Sequence, residues 1–108
     1  MSPAGPASAL EALGDANRRA ILEIIAGGPV SVQAIADRLT ISRPAVSRHL
    51  RLLKAAELVD DEAVGTRRIY RLRAEGVEAV RAYFEQLWGE AATRYRLAVE
   101  NVADPQDP

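Results

Sequence analysis

Between Ser42 and Arg51 the chain reads SRPAVSRHLR, so three arginines, two serines and the only histidine share one short segment. Two chemistries could use such a set. A serine beside a histidine can be a nucleophile beside its base, provided the two side chains lie within hydrogen-bond reach. Arginines and hydroxyls can instead hold phosphate oxygens, and a guanidinium can pair in bidentate fashion with O6 and N7 of guanine. The spacing decides against the first. Ser47 and His49 are two apart, and residues two apart on a helix face different ways. His49 is therefore expected to be a structural histidine, half-buried beneath its helix.

Other reactive chemistry is thinly supplied. The chain has no cysteine, which removes disulfides, thiolate metal sites and thiol redox sensing. No glycine-rich phosphate loop appears, and aromatics are too few for a base-stacking platform. Asp60, Asp61 and Glu62 read as a solvated acidic run on a hairpin. We expect no enzyme activity, no cofactor and no metal. The opening MSPAGPASAL has neither a basic stretch nor an apolar core of the kind that directs secretion, and no apolar run reaches membrane-spanning length. A soluble, cytoplasmic protein is expected.

The net charge of −1 conceals an uneven distribution. Residues 38–73 hold nine Lys/Arg and four acids, a local excess of +5, whereas the remainder carries −6. A basic centre between acidic ends points to a polyanionic partner.

These residues need a scaffold, and the apolar spacing supplies one. A hydrophobic content of 48% is that of a folded chain, and the length suits one domain, expected over residues 8–102 with loose tails at 1–7 and 103–108. ASALEALG reads as a short helix closed by Gly14. Asp15 is placed to cap ANRRAILEIIA, with Ile21, Ile24 and Ile25 on one face. Ser31 can cap VQAIADRL. A turn, Thr40-Ile41-Ser42, leads to a further helix that Ser42 caps and in which Pro44 is tolerated at the first turn. Val46, Leu50 and Leu53 would bury that helix. Around Gly65 the period changes to the alternation of a β-hairpin. From Glu75 to about Val102 helical spacing returns, through Val77, Val80, Phe84, Leu87, Ala91, Tyr95 and Ala98; Gly89 weakens this helix without breaking it.

The order is helix, helix, helix–turn–helix, hairpin, long helix: a mainly α protein with five helices and a two-stranded wing. In the helix–turn–helix, small Ala36 suits the crossing, and Ile35, Leu39, Ile41 and Val46 would fill the angle. Ser42, Arg43, Ser47, Arg48 and Arg51 are left on the outward face. Thr66, Arg67 and Arg68 directly after Gly65 add a second basic feature in a neighbouring element. Two such features together favour duplex DNA over a merely solvated surface.

DANRRAIL (Asp15–Leu22), SRPAVSRHLRLL (Ser42–Leu53) and GTRRIYRL (Gly65–Leu72) together resemble the ArsR-type family of winged helix-turn-helix repressors, over about residues 9–100. The resemblance implies a homodimer that binds an imperfect palindrome and usually represses. By motif position it places Ser42, Arg43, Pro44, Ser47, Arg48 and Arg51 on the recognition helix and Gly65 to Arg68 at the wing tip. Many relatives sense metals through cysteines before the turn or through Asp/His/Glu ligands on the last helix. SVQAIADRL has no cysteine and the last helix no histidine, so the chain resembles the non-metal-sensing members, some of which are autorepressors.

The last helix would be about 42 Å long at 1.5 Å per residue, more than a small domain can cover. Its stripe, with Phe84, Leu87, Trp88, Ala91 and Tyr95 and with Leu10 and Leu13 from the first helix, is expected to pair with a second copy. Two other readings stand beside this one. A small-molecule effector could sit at the dimer interface near Tyr83, Phe84, Trp88 and Tyr95, or the basic face could dock an acidic protein.

Overall fold

A computed structural model describes residues 6–101; of the expected tails at 1–7 and 103–108 only Pro6 and Ala7 are described, and they open the first helix instead. The chain runs α1 (Pro6–Ala12), α2 (Ala16–Ala26), β1 (Val30–Ser31), α3 (Val32–Arg38), α4 (Arg43–Ala55), β2 (Val59–Val64), β3 (Arg67–Leu72) and α5 (Ala74–Asn101). The expected five helices and wing are present, in the winged helix-turn-helix arrangement.

Three helices start where a short polar side chain can satisfy an orphan backbone donor. Asp15 accepts from the Arg18 N–H at 3.0 Å, Ser31 from Ala34 at 3.1 Å and Ser42 from Ala45 at 3.2 Å. The end of α1 is closed differently. Arg18 Nε donates to the Ala12 carbonyl at 2.6 Å and Arg19 Nη1 to the Leu13 carbonyl at 2.7 Å, so the paired arginines of DANRR tie α2 back onto α1.

The core is built from the inward faces of α1 to α4 and of the wing strands. Ile21 and Ile25 of α2, Ile35 of α3, Val46, Leu50 and Leu53 of α4 and Val59 of β2 are fully buried together. Leu39 and Ile41 are only partly buried at its edge, and α3 stops at Arg38, so the turn of the helix–turn–helix begins at Leu39.

The wing has more strands than its sequence suggests. β1 pairs antiparallel with β3, Val30 opposite Tyr70, to give a three-stranded sheet in the order β1-β3-β2. A two-residue strand has no periodicity to read, and Ser31 also serves as the cap of α3. The β2–β3 hairpin turns through Gly65-Thr66, with φ +63° at Gly65 and no positive φ at Thr66. A II′ turn takes glycine at that first position.

The junction of α4 with β2 is tight. The Leu58 N–H bonds the Leu53 carbonyl and the Glu57 N–H the Lys54 carbonyl, a Schellman ending with Glu57 at φ +62° where glycine is usual. Gly76 of α5 lies against this turn: a Cβ there would stand 1.8 Å from the Glu57 carbonyl oxygen. From that joint α5 continues unbroken through Gly89, and none of its residues is buried. The radius of gyration is 19.4 Å, against about 13 Å for a compact chain of this length, because α5 projects from the body.

Candidate nucleic-acid interface

Helix α4 carries the segment SRPAVSRHLR. Burying Val46, His49, Leu50 and Leu53 fixes its rotation, so Arg43, Pro44, Arg48 and Arg51 stand exposed and Ser47 is half-buried. His49 is only 5% exposed, deeper than expected, with Arg18 Nη1 3.5 Å from its Nδ1. It faces the core and Ser47 does not, so the two form no dyad.

Arg43 is held from behind. Its Nη1 donates to Gln33 Oε1 at 3.1 Å, and Gln33 Nε2 donates in turn to Asp37 Oδ1 at 2.7 Å. The amide is thus oriented at both ends, and α3 presents Arg43 at the first turn of α4. Gln33 and Asp37 were absent from the sequence reading; their i, i+4 spacing on α3 was the available signal.

The wing tip comes to the same place. Gln33, Asp37, Arg43, Thr66, Arg67 and Arg68 line one cleft between α3, the start of α4 and the hairpin. Arg51, two turns further along α4, is near enough to act on Tyr70 of β3. Burial pushes the Tyr70 phenol above its ordinary value and Asp61 adds to that, while Arg68, Lys54 and Arg51 oppose it. Arg48 is exposed but does not reach the cleft. Among the described residues Arg43, Arg48, Arg51 and Arg67 have no ion pair, so their charge is available to a partner.

Arg68 and the acidic run differ from expectation. Asp60 and Glu62 are exposed, but the Asp61 side chain is only 6% exposed. Lys54 Nζ lies 2.6 Å from Asp61 Oδ1 and Arg68 Nη1 2.8 Å from Oδ2. Asp61 is therefore no solvated residue. The readable signal was strand alternation: Val59 faces inward, so Asp61 must as well.

The other expected cluster lies on α5. Phe84, Leu87, Trp88 and Tyr95 are exposed, Trp88 by 65% and Tyr95 by 72%, and Ala91 is exposed beside them. The Phe84 and Trp88 rings stack, with centroids 6.4 Å apart and planes at 4°. Val99 extends this apolar surface beyond the residues singled out from the sequence, and Leu97 is exposed elsewhere on the helix. Leu10 and Leu13 of the α1 region are half-buried, and Leu13 lines an apolar groove with Leu22, Leu72, Val77 and Val80. Among the described residues no helix is long and apolar enough to cross a membrane.

A buried helix–turn–helix with a basic outer face and a hairpin beside it defines a winged helix-turn-helix protein. Comparison narrows the class. Residues 13–62 match a family model described as a helix-turn-helix domain. The chain is 44% identical over 99 residues to the HTH-type transcriptional regulator Rv2034 of Mycobacterium tuberculosis, covering 92% of each. Among solved structures it is similar to an ArsR-like transcriptional regulator from Rhodococcus sp. RHA1, with a TM-score of 0.74, 30% identity and 94% of each chain covered. It is also similar to the homodimeric winged helix-turn-helix DNA-binding domain Mb0332 of Mycobacterium bovis, a possible ArsR-family regulator (TM-score 0.63, 27% identity, 94% of this chain and 85% of that one). The chain belongs to the ArsR family of winged helix-turn-helix DNA-binding transcriptional regulators, which are not enzymes.

Proposed function

We propose that the protein is a homodimeric repressor of a palindromic operator that does not sense metal ions. The observation that carries this reading is a set of guanidinium groups without ion pairs among the described residues: Arg43 and Arg67 at one cleft, with Arg48 and Arg51 exposed further along α4. Helix α4 enters the major groove. Arg43, at its N-terminal end, and Ser47, Arg48 and Arg51 contact bases and phosphates, while Ser42 and Pro44 sit at the approaching helix end. Thr66 and Arg67 hold the backbone or minor groove alongside, with Arg68 just behind them.

Dimerisation rests on α5. A helix of 28 residues with no buried position leaves Phe84, Leu87, Trp88, Ala91 and Tyr95 to water. Pairing with the same stripe of a second copy removes that cost and makes the contact self-complementary. The Mb0332 domain is a homodimer, which supports the same assembly here. The groove along Trp88, Ala92, Tyr95 and Val99 that could suit a small effector is the groove a partner helix fills. A two-fold dimer presents its recognition helices about 34–36 Å apart, one turn of the duplex. Occupying a promoter in this way blocks its use, which is repression.

The absence of cysteine and the burial of the only histidine favour regulation without the thiolate and imidazole ligands of metal-sensing relatives. Selection from random duplexes tests the whole reading. The expected product is a palindrome whose half-sites repeat with the helical turn. Recovery of no preferred sequence would favour docking of an acidic protein instead.

A further inference from the structure

The basic face contains one acid that is turned inward. Asp61 lies on β2, opposite Tyr70 in the strand register. Its carboxylate bridges two elements, accepting from Lys54 in the last turn of α4 and from Arg68 on β3. A carboxylate 6% exposed is held there by two cations, and losing both would leave a charge in a poorly hydrated place. Lys54 and Arg68 are about half exposed yet point at Asp61, whereas Arg43, Arg48, Arg51 and Arg67 are unpaired among the described residues. Six cations on this side thus fall into two kinds.

We propose that Asp61 is a positioning residue for DNA recognition: it locks the wing to the recognition helix and withholds Lys54 and Arg68 from phosphate binding. Through its two oxygens the distance between the end of α4 and strand β3 is fixed, so that Arg67 and Arg51 meet the duplex in one register. Holding back two cations lowers affinity for arbitrary sequence, because that affinity comes from counterions released at each phosphate contact. The lock therefore raises discrimination from both sides. It rests on the DNA-binding reading above.

The experiment measures binding of the intact protein to a selected operator and to a random-sequence duplex across a salt series. Arg68→Gln leaves Asp61 paired with Lys54 and should fold. If Arg68 is withheld, its salt slope matches wild type; a slope shallower by about 0.9, the value of one lost phosphate contact, overturns the proposal. Asp61→Asn frees both cations. Its slope on random duplex should steepen by about 0.9 to 1.8 and its operator-to-random affinity ratio should fall. Asp61→Glu, which keeps the charge, should restore much of that ratio. A folded Asp61→Asn protein with unchanged slope and ratio overturns the lock while leaving DNA binding intact. Wild-type protein that binds no duplex at any salt overturns both readings.

Discussion

Arg43 and Gln33 are joined across the turn of the helix–turn–helix, Nη1 to Oε1 at 3.1 Å. An arginine at the first turn of an exposed helix has many rotamers, and fixing one of them in advance lowers the entropy lost on contact. Gln33→Ala should weaken operator binding by roughly threefold to tenfold, about the worth of one ordered polar contact. The melting temperature should not move, since both side chains lie at the surface. Equal affinity in the variant would mean that Arg43 needs no guide.

Arg48→Ala and Arg51→Ala test the helix face itself. Each should lower operator affinity, by about 1–3 kcal/mol where the contact is to a base edge. Where the contact is to phosphate, the salt slope should fall by about 0.9. Circular dichroism melts should coincide with wild type. Retained affinity in both variants would move the contact surface elsewhere.

Trp88→Glu places a charge in the middle of the exposed stripe of α5. It should convert a dimer to a monomer in sedimentation equilibrium and abolish binding to a two-half-site duplex. The isolated body should remain folded, because Trp88 touches none of the core. A variant that sediments like wild type would show that α5 is not the seam.

The joint between α4 and β2 makes two opposite demands. Glu57 holds a left-handed conformation that costs a side-chain-bearing residue about 1 kcal/mol, so Glu57→Gly should raise stability by about that amount. Gly76→Ala puts a methyl group into the Glu57 carbonyl and should cost at least about 2 kcal/mol. Urea unfolding of the two variants checks both signs.

Acid should also act through the lock. Lys54 and then Arg68 hold the Asp61 carboxyl below its ordinary value of 3.8, with burial opposing them. A carboxylate depressed on folding contributes stability that is present above its unfolded value and lost as pH falls through the folded one. The contribution of Asp61 should therefore be whole at neutrality and disappear below about pH 4. The difference in stability between wild type and Asp61→Asn should shrink over that range; a difference constant down to pH 2 would mean that Asp61 is held by something other than its charge.

What the sequence disclosed follows the range of the forces involved. Asp15, Ser31 and Ser42 were legible as caps because a cap needs only the next three residues. The faces of α2 and α4 were legible because burial repeats with the helix. β1 was not, since two residues carry no period and their pairing comes from Tyr70, forty residues on. The inward turn of Asp61 was legible from strand alternation with Val59, but Lys54 and Arg68 closing on it were not, because they come from α4 and β3. Nothing local announces what Arg18 and Arg19 do, because they close the end of a helix that precedes them. Glu57 was unreadable as a left-handed residue because glycine is usual there; the Schellman ending of α4, with Leu58 bonded back to Leu53, requires the conformation.

That contact of Gly76 with Glu57 has a mechanical consequence. The long terminal rod does not hang from a flexible tether. It is seated by its first turn on the corner where the reading helix ends, with the Arg73 N–H bonded to the Leu58 carbonyl at 2.9 Å. Rotating the rod sideways must drag that corner with it. In the proposed dimer the gap between the two recognition helices would then be set by this elbow in each subunit, and bending it would change which spacing of half-sites can be gripped.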